Sequence, residues 1–234
     1  MFSLQETLIR PLTEFIFPPL CISCHRLRPD ASSGSRICAE CWEAIKPVRT
    51  DDMLYQETRS KLLTTGMVDE MVAVFEFDET GSLPSIIHQL KYGGMSTLGV
   101  ELGRCLGKRL QDSIDDPTSF LLIPVPLHMV KLRERGYNQS DILCKGVAEI
   151  THIPAVDALK RTRYTRSQTK LSREERKKNV VDAFEVRKDD FLDKKTVILV
   201  DDVITTGATT AECARALRNR GAEKILATAV ALAP

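Results

Sequence analysis

The feature that most constrains this chain is the run Val197–Thr209, VILVDDVITTGAT. Four apolar residues lead into two adjacent aspartates and then into a short Gly/Thr loop. Thr210–Arg220 reads as the helix that follows. An uninterrupted apolar run of this kind reads as a buried strand. The helix after the loop opens with backbone N–H groups that have no partner within the helix, and with its dipole it offers a seat for a phosphate dianion. Carboxylates at the carboxyl end of a parallel strand lie in the crevice where open α/β sheets bind ligands. A phosphate cradle beside two hydroxyl-accepting carboxylates suits a ribose 5-phosphate. Thr205, Thr206 and Thr209 add hydroxyl donors, and Gly207 lets the backbone approach closely. A plain buried strand and turn accounts for VILV, but not for the acidic pair followed by TTGAT.

Strands and helices alternate along the rest of the chain. Val68–Phe77 (VDEMVAVFEF) is β-rich and reads as a strand. Gly81–Ser85 turns into a short helix that stops at Leu90–Gly94, LKYGG, where two glycines end it. Leu98, Leu102, Cys105, Leu106 and Leu110 recur at spacings of four and three and mark one helix face. Phe120–Val125 (FLLIPV) reads as a buried strand. Asn138–Ile150 reads as a helix with Ile142, Leu143, Val147 and Ile150 on its period. Phe184–Val186, Val197–Val200 and Ile225–Ala231 complete the strands, and Gly221 is expected to cap the last helix. The alternation implies a parallel sheet with right-handed crossovers. A length of 234 residues suits one α/β domain, here 51–234, with a small N-terminal module, here 1–50. The polar stretch Arg49–Thr65 between them reads as a linker or irregular helix.

Four cysteines of that module fall as CISC, Cys21 to Cys24, and CAEC, Cys38 to Cys41, separated by thirteen residues. Two such knuckles suit a tetrahedral Zn²⁺ held by four thiolates. Pro29, Ser32, Ser33, Gly34 and Ser35 between them read as a loop. Four thiolates leave no open coordination position, so the expected role is structural: the metal stabilises a segment too small to bury its own core. A redox CxxC is the rival reading, against which stand two copies and no βαβ context. His25 adjoins Cys24, which makes it an awkward substitute ligand, and Trp42 reads as a packing residue rather than a stacking platform. Cys105, Cys144 and Cys213 lie in helical patterns and read as small buried apolar residues.

Basic and acidic residues nearly cancel, 33 against 32, so a globally electrostatic nucleic-acid binder is not indicated, although local patches remain open. Two basic constellations stand out. The first is Ile123–Ser140, IPVPLHMVKLRERGYNQS, in which Pro124 and Pro126 fix the backbone where a ligand can approach a strand end. The second is Lys160–Lys178, with nine basic and two acidic residues. In it Ser172 and Glu175 form a capping box, so a helix is expected to start at Ser172 after an exposed loop. A solvated basic turn and a solvated charged face remain open for the two, and the second also reads as a grip on a nucleic-acid backbone. No apolar run approaches the roughly 18 residues of a membrane span. The opening MFSLQETLIRPL has no basic region before an apolar core, and seven cysteines is an odd count. A cytoplasmic location without a disulfide framework is the expectation.

All thirteen positions of VILVDDVITTGAT resemble the signature of type I phosphoribosyltransferases that binds 5-phosphoribosyl 1-pyrophosphate (PRPP). The resemblance implies that Asp201 and Asp202 are the catalytic pair holding the ribose 2- and 3-hydroxyls. Thr205, Thr206, Gly207, Ala208 and Thr209 would hold the 5-phosphate, with Mg²⁺ accompanying PRPP. It implies that Pro126, Leu127 and His128 form the pyrophosphate loop, with Arg133 and Arg135 nearby. A flexible loop with Arg163, Gln168 and Arg173 would close over the ligand; its order R-x-R-Y-T, Gln168, Arg173, Asn179 resembles the phosphoribosyl half of amidophosphoribosyltransferase. Taken in order, CxxC…CxxC, LKYGG, PVPL, RGYNQ, R-x-R-Y-T and VDDVITTGAT resemble the ComF family, phosphoribosyltransferase-like proteins with an N-terminal zinc module. That family's part in the uptake and use of external DNA implies single-stranded DNA and DNA-uptake proteins as partners. What the chain lacks is a recognisable acceptor-binding hood, so both a transferase and a binding protein stay open.

Overall fold

The computed structural model describes residues 18–28, 35–163, 182–187, 192 and 194–234. Its elements in chain order are α1 (Ala39–Glu43), α2 (Met53–Thr64), β1 (Glu70–Glu76), α3 (Leu83–Tyr92), α4 (Ser96–Gln111) and β2 (Phe120–Pro124). There follow α5 (Met129–Arg135), α6 (Gln139–Thr151), β3 (Leu159–Arg161), β4 (Phe184–Val186), β5 (Thr196–Ile204), α7 (Ala208–Arg218) and β6 (Lys224–Leu232). Gln168, Arg173, the Ser172 capping box and most of the second basic stretch lie outside the described residues, as do Pro29, Ser32, Ser33 and Gly34.

The four long strands form one parallel sheet in the order β1-β6-β5-β2, as the alternation implies. β5 and β6 are central, so both faces of their apolar runs are buried. The sheet edges are covered. Residues 46–48 run along β1, where the Val48 N–H donates to the Val74 carbonyl at 2.9 Å and the Glu76 N–H to the Lys46 carbonyl at 2.9 Å. On the β2 side the Val156 N–H donates to the Leu122 carbonyl at 2.9 Å. Edges sealed this way cannot template pairing with another chain.

Phe184–Val186 does not join this sheet. Three residues are too few to span it, and they pair antiparallel with β3 instead. β5 also extends beyond Val200: Val203 and Ile204 keep pairing, with Ala231 and Leu232, so the acidic pair sits within the strand's last residues rather than after its end. Arg49–Thr65 contains a regular twelve-residue helix, α2, whose buried Tyr55, Thr58 and Leu62 share one face and cover β1. Its polar outer face hid that period. The last helix closes at Asn219; Gly221, with φ of +95°, lies two residues further on and turns the chain into β6.

Two hydrophobic clusters sandwich the sheet. One holds α2, α7 and the β3–β4 pair; the other holds α3, α4 and α6. Cys21, Ile37, Cys38, Cys41 and Ile45 of the cysteine module belong to the second, so the module is packed onto α3 and α4. α4 and α6 meet backbone to backbone. A Cβ on Gly103 would strike the Leu143 carbonyl oxygen, and one on Gly146 the Val100 carbonyl oxygen. The leucines of α4 fill the core as their spacing implies, but Cys105 is only partly buried, whereas Cys144 and Cys213 are enclosed.

Candidate functional site

Alternation along β5 sends its two aspartates to different neighbours. Asp201 follows Val197 and Leu199; Asp202 follows Ile198 and Val200. Asp202 is buried, and its Oδ2 lies 3.0 Å from Nζ of Lys91 on α3. This is an ion pair without hydrogen-bond alignment, since no donor is directed at that oxygen. Asp201 is partly buried. Its Oδ1 accepts the Asp202 N–H at 2.8 Å and lies 3.5 Å from Ser140 Oγ at the start of α6. Burial foremost, then the negative charge of Asp202, pushes the Asp201 carboxyl up to about 8, and the Lys91 ammonium opposes that rise.

The loop after β5 turns at Gly207, whose φ of +71° is a left-handed conformation that glycine adopts without cost. Ala208 donates its N–H to Thr206 Oγ1 at 3.4 Å, and Ala211 donates to the Gly207 carbonyl at 2.8 Å, starting α7. Among the described residues no group accepts from the N–H of Thr206, Gly207 or Thr209. These amides gather at a helix N-terminus, where an anion gains from both the donors and the dipole. From below, the loop rests on α2: a Cβ on Gly207 would lie 2.6 Å from Leu62 Cδ2.

The aspartates and the loop open onto one cleft of about 560 Å³. Asp201, Asp202, Thr205, Thr206, Gly207, Ala208, Thr209, Pro126, Leu127 and Arg135 all line it, as the sequence leads one to expect. His128 is not among the lining residues. Its Nδ1 accepts the Val130 N–H at 3.2 Å and so caps α5. Arg133 and Arg163 are exposed and likewise outside the lining. The structure adds Lys91, Arg161, Lys131 and Gln139 from the charged side of the cleft, and Phe77, Pro84, Ile87, His88 and Tyr92 from a second wall. Each of the four polar residues belongs to a motif visible in the sequence: LKYGG, R-x-R, the basic turn and RGYNQ. What the sequence hid was which member of each motif turns inward.

The four Sγ atoms of Cys21, Cys24, Cys38 and Cys41 lie within 4.8 Å of one another, with Cys24 and Cys38 at 3.8 Å. A tetrahedron with bonds of about 2.3 Å separates its sulfurs by about 3.8 Å, so the cluster fits a zinc ion. The Cys38 N–H, 3.4 Å from Cys21 Sγ, adds a second-layer donor to thiolate charge. Among the described residues this is the one group of three or more metal-type ligands, and no helix is long and apolar enough to cross a membrane.

Parallel sheet, acidic pair and free-amide loop define the class, a phosphoribosyltransferase-type α/β domain with a four-cysteine module attached. The family model described as "Phosphoribosyl transferase domain" matches residues 136–234. Competence protein F of Haemophilus influenzae is 34% identical over 163 residues, 67% of this chain and 70% of its own length. A DNA utilization protein YhgH of Escherichia coli O157:H7 is 32% identical over 231 residues, 89% of this chain and 94% of its own. Among solved structures, glutamine PRPP amidotransferase from B. subtilis aligns with 59% of this chain and 29% of its own at 21% identity and a TM-score of 0.39. The chain belongs to the ComF family of competence and DNA-utilisation proteins.

Proposed function

We propose that this protein binds PRPP, or a related ribose phosphate, and acts in DNA uptake or utilisation. One juxtaposition carries the reading: the twin aspartates of β5 line the same cleft as Thr206, Gly207 and Thr209, whose amides have no acceptor among the described residues. In this reading the carboxylates of Asp201 and Asp202 accept from the ribose 2- and 3-hydroxyls. Thr205, Thr206, Gly207, Ala208 and Thr209 take the 5-phosphate through N–H and O–H donors. Pro126 and Leu127, with the Arg135 guanidinium, lie where pyrophosphate would extend. His128 serves that loop through its cap, Arg133 stands outside the cleft lining, and the closing loop would bring Arg163 together with Gln168 and Arg173, which lie outside the described residues. A Mg²⁺ would enter this cleft carried on the ligand's own phosphates. The four-thiolate site is read as structural zinc. The names of the relatives, competence and DNA utilization, support the DNA half of the reading, and single-stranded DNA and uptake proteins are the partners it proposes.

A second reading, an active phosphoribosyltransferase, is supported by Phe77, Pro84, Ile87 and His88, which line the same cleft as the acidic pair and offer apolar and ring surface to an acceptor. The C1–O bond to pyrophosphate would break, a bond from the acceptor to C1 would form, and the acceptor's proton would leave to solvent. Positioning and electrostatic stabilisation of the leaving group would supply the rate. Titration calorimetry with PRPP and Mg²⁺ tests the first reading. Asp201→Asn with Asp202→Asn should abolish binding while the fold persists, and an unchanged affinity refutes it. Pyrophosphate release on incubation with a panel of bases and amines decides the second.

A further inference from the structure

LKYGG, and RGYNQ beyond Arg135, remain without a role in the reading above. In the fold they meet. The Tyr137 hydroxyl donates to the Leu90 carbonyl in the last turn of α3. The Arg135 guanidinium lies 5.0 Å over the Tyr92 ring, and its Nη1 donates to Gln139 Oε1 at 2.7 Å. Gly93 ends α3 directly afterwards, at a point where a Cβ would run into Gln89. The turn so clamped carries Lys91, whose Nζ reaches Asp202 Oδ2 at 3.0 Å. Both side chains are shielded, at 25% and 6% exposure, so the attraction is screened far less than at a surface.

We infer that LKYGG and RGYNQ form one device that delivers Lys91 to the acidic pair as a built-in counter-cation, so that the cleft holds a vicinal-diol sugar phosphate without a divalent ion. The inference deepens the ribose-phosphate reading and rests on it. Two adjacent carboxylates, one buried and one partly so, repel each other and push Asp201 toward its neutral form, and a positive charge beside the pair opposes that and eases the repulsion. The ammonium supplies that charge from 3.0 Å, beside an oxygen at which no donor is directed among the described residues. Lys91 is thus a positioning residue acting through Asp202. The other charged or titratable groups around the pair are His88 from α3, Lys131 and Arg135 from α5, Arg161 from β3 and Cys213 from α7.

The test is calorimetry of ribose 5-phosphate in EDTA, with 2-deoxyribose 5-phosphate as the diol control. Wild type should bind the ribose form without metal and the deoxy form more weakly. Lys91→Met should lose at least tenfold in affinity, Lys91→Arg should recover most of it, and added Mg²⁺ should help Lys91→Met more than wild type. The pH at which affinity rises should also move upward in Lys91→Met, because Lys91 favours the ionised form of Asp201. Tyr137→Phe, which removes only the clamp, should give a smaller loss in the same direction. Lys91→Met binding within twofold of wild type in EDTA overturns the inference, as does wild type that binds only with Mg²⁺. If Asp201→Asn with Asp202→Asn also leaves affinity unchanged, the ribose-phosphate reading itself fails; if that double variant alone loses binding, only the role of Lys91 falls.

Discussion

Replacing Gly207 with alanine should destabilise the whole domain through a single methyl group. The residue sits at φ +71°, where an L side chain costs about 1–2 kcal/mol. The new Cβ would also stand 2.6 Å from Leu62 Cδ2 and 2.9 Å from Leu62 Cγ. Leu62 is 2% exposed and wedged between α2 and the sheet, so it has little room to yield, and overpacking of this kind adds about 1–3 kcal/mol. The sum, about 2–5 kcal/mol, is a large share of the roughly 5–15 kcal/mol that holds a typical domain folded. Urea unfolding followed by circular dichroism measures it. In a Leu62→Ala background the same glycine substitution should cost only the backbone part, so a double-mutant cycle should return a coupling of about 1–3 kcal/mol. A single variant within about 0.5 kcal/mol of wild type, or an equal cost in both backgrounds, would refute the idea that the loop is seated on α2.

Two further outcomes follow from the same geometry. Cys38→Ser should release zinc, and because the cysteines share a core with α3 and α4, the melting temperature of the whole chain should fall rather than that of a detached module; metal analysis that finds zinc at full stoichiometry would count against the four-thiolate site. Burial and the Asp202 charge push the Asp201 carboxyl up to about 8 in the folded chain, against about 4 for an unfolded aspartate, so between those values the native state holds the extra proton, and stability should decline as pH rises from about 4 to about 8. Asp201→Asn should flatten that slope in thermal melts across the range, and an unaltered slope would show that Asp201 is not the group responsible.

Much of the fold was legible because the signals are local. An apolar run such as VILV or ILATAVAL must be buried on both faces, and the LKYGG glycines must stop a helix whatever surrounds them. The exceptions have physical causes. Arg49–Thr65 looked irregular because a half-exposed helix needs only Tyr55, Thr58 and Leu62 on its inner face. Phe184–Val186 carried a strand's composition but lacked the length to enter the sheet.

The sequence by itself determined the chemical groups of the two candidate sites, since covalent spacing alone sets the two thiols of each CxxC side by side and two aspartates beside a glycine–threonine loop. Only the tertiary structure decided which charges meet. Lys91 reaches Asp202 because Tyr137 and Arg135 hold α3 in place, and His128, outside the cleft lining, uses its ring to cap α5. Such pairings join segments distant in the chain, and their directions depend on side-chain rotamers and helix positions that packing fixes.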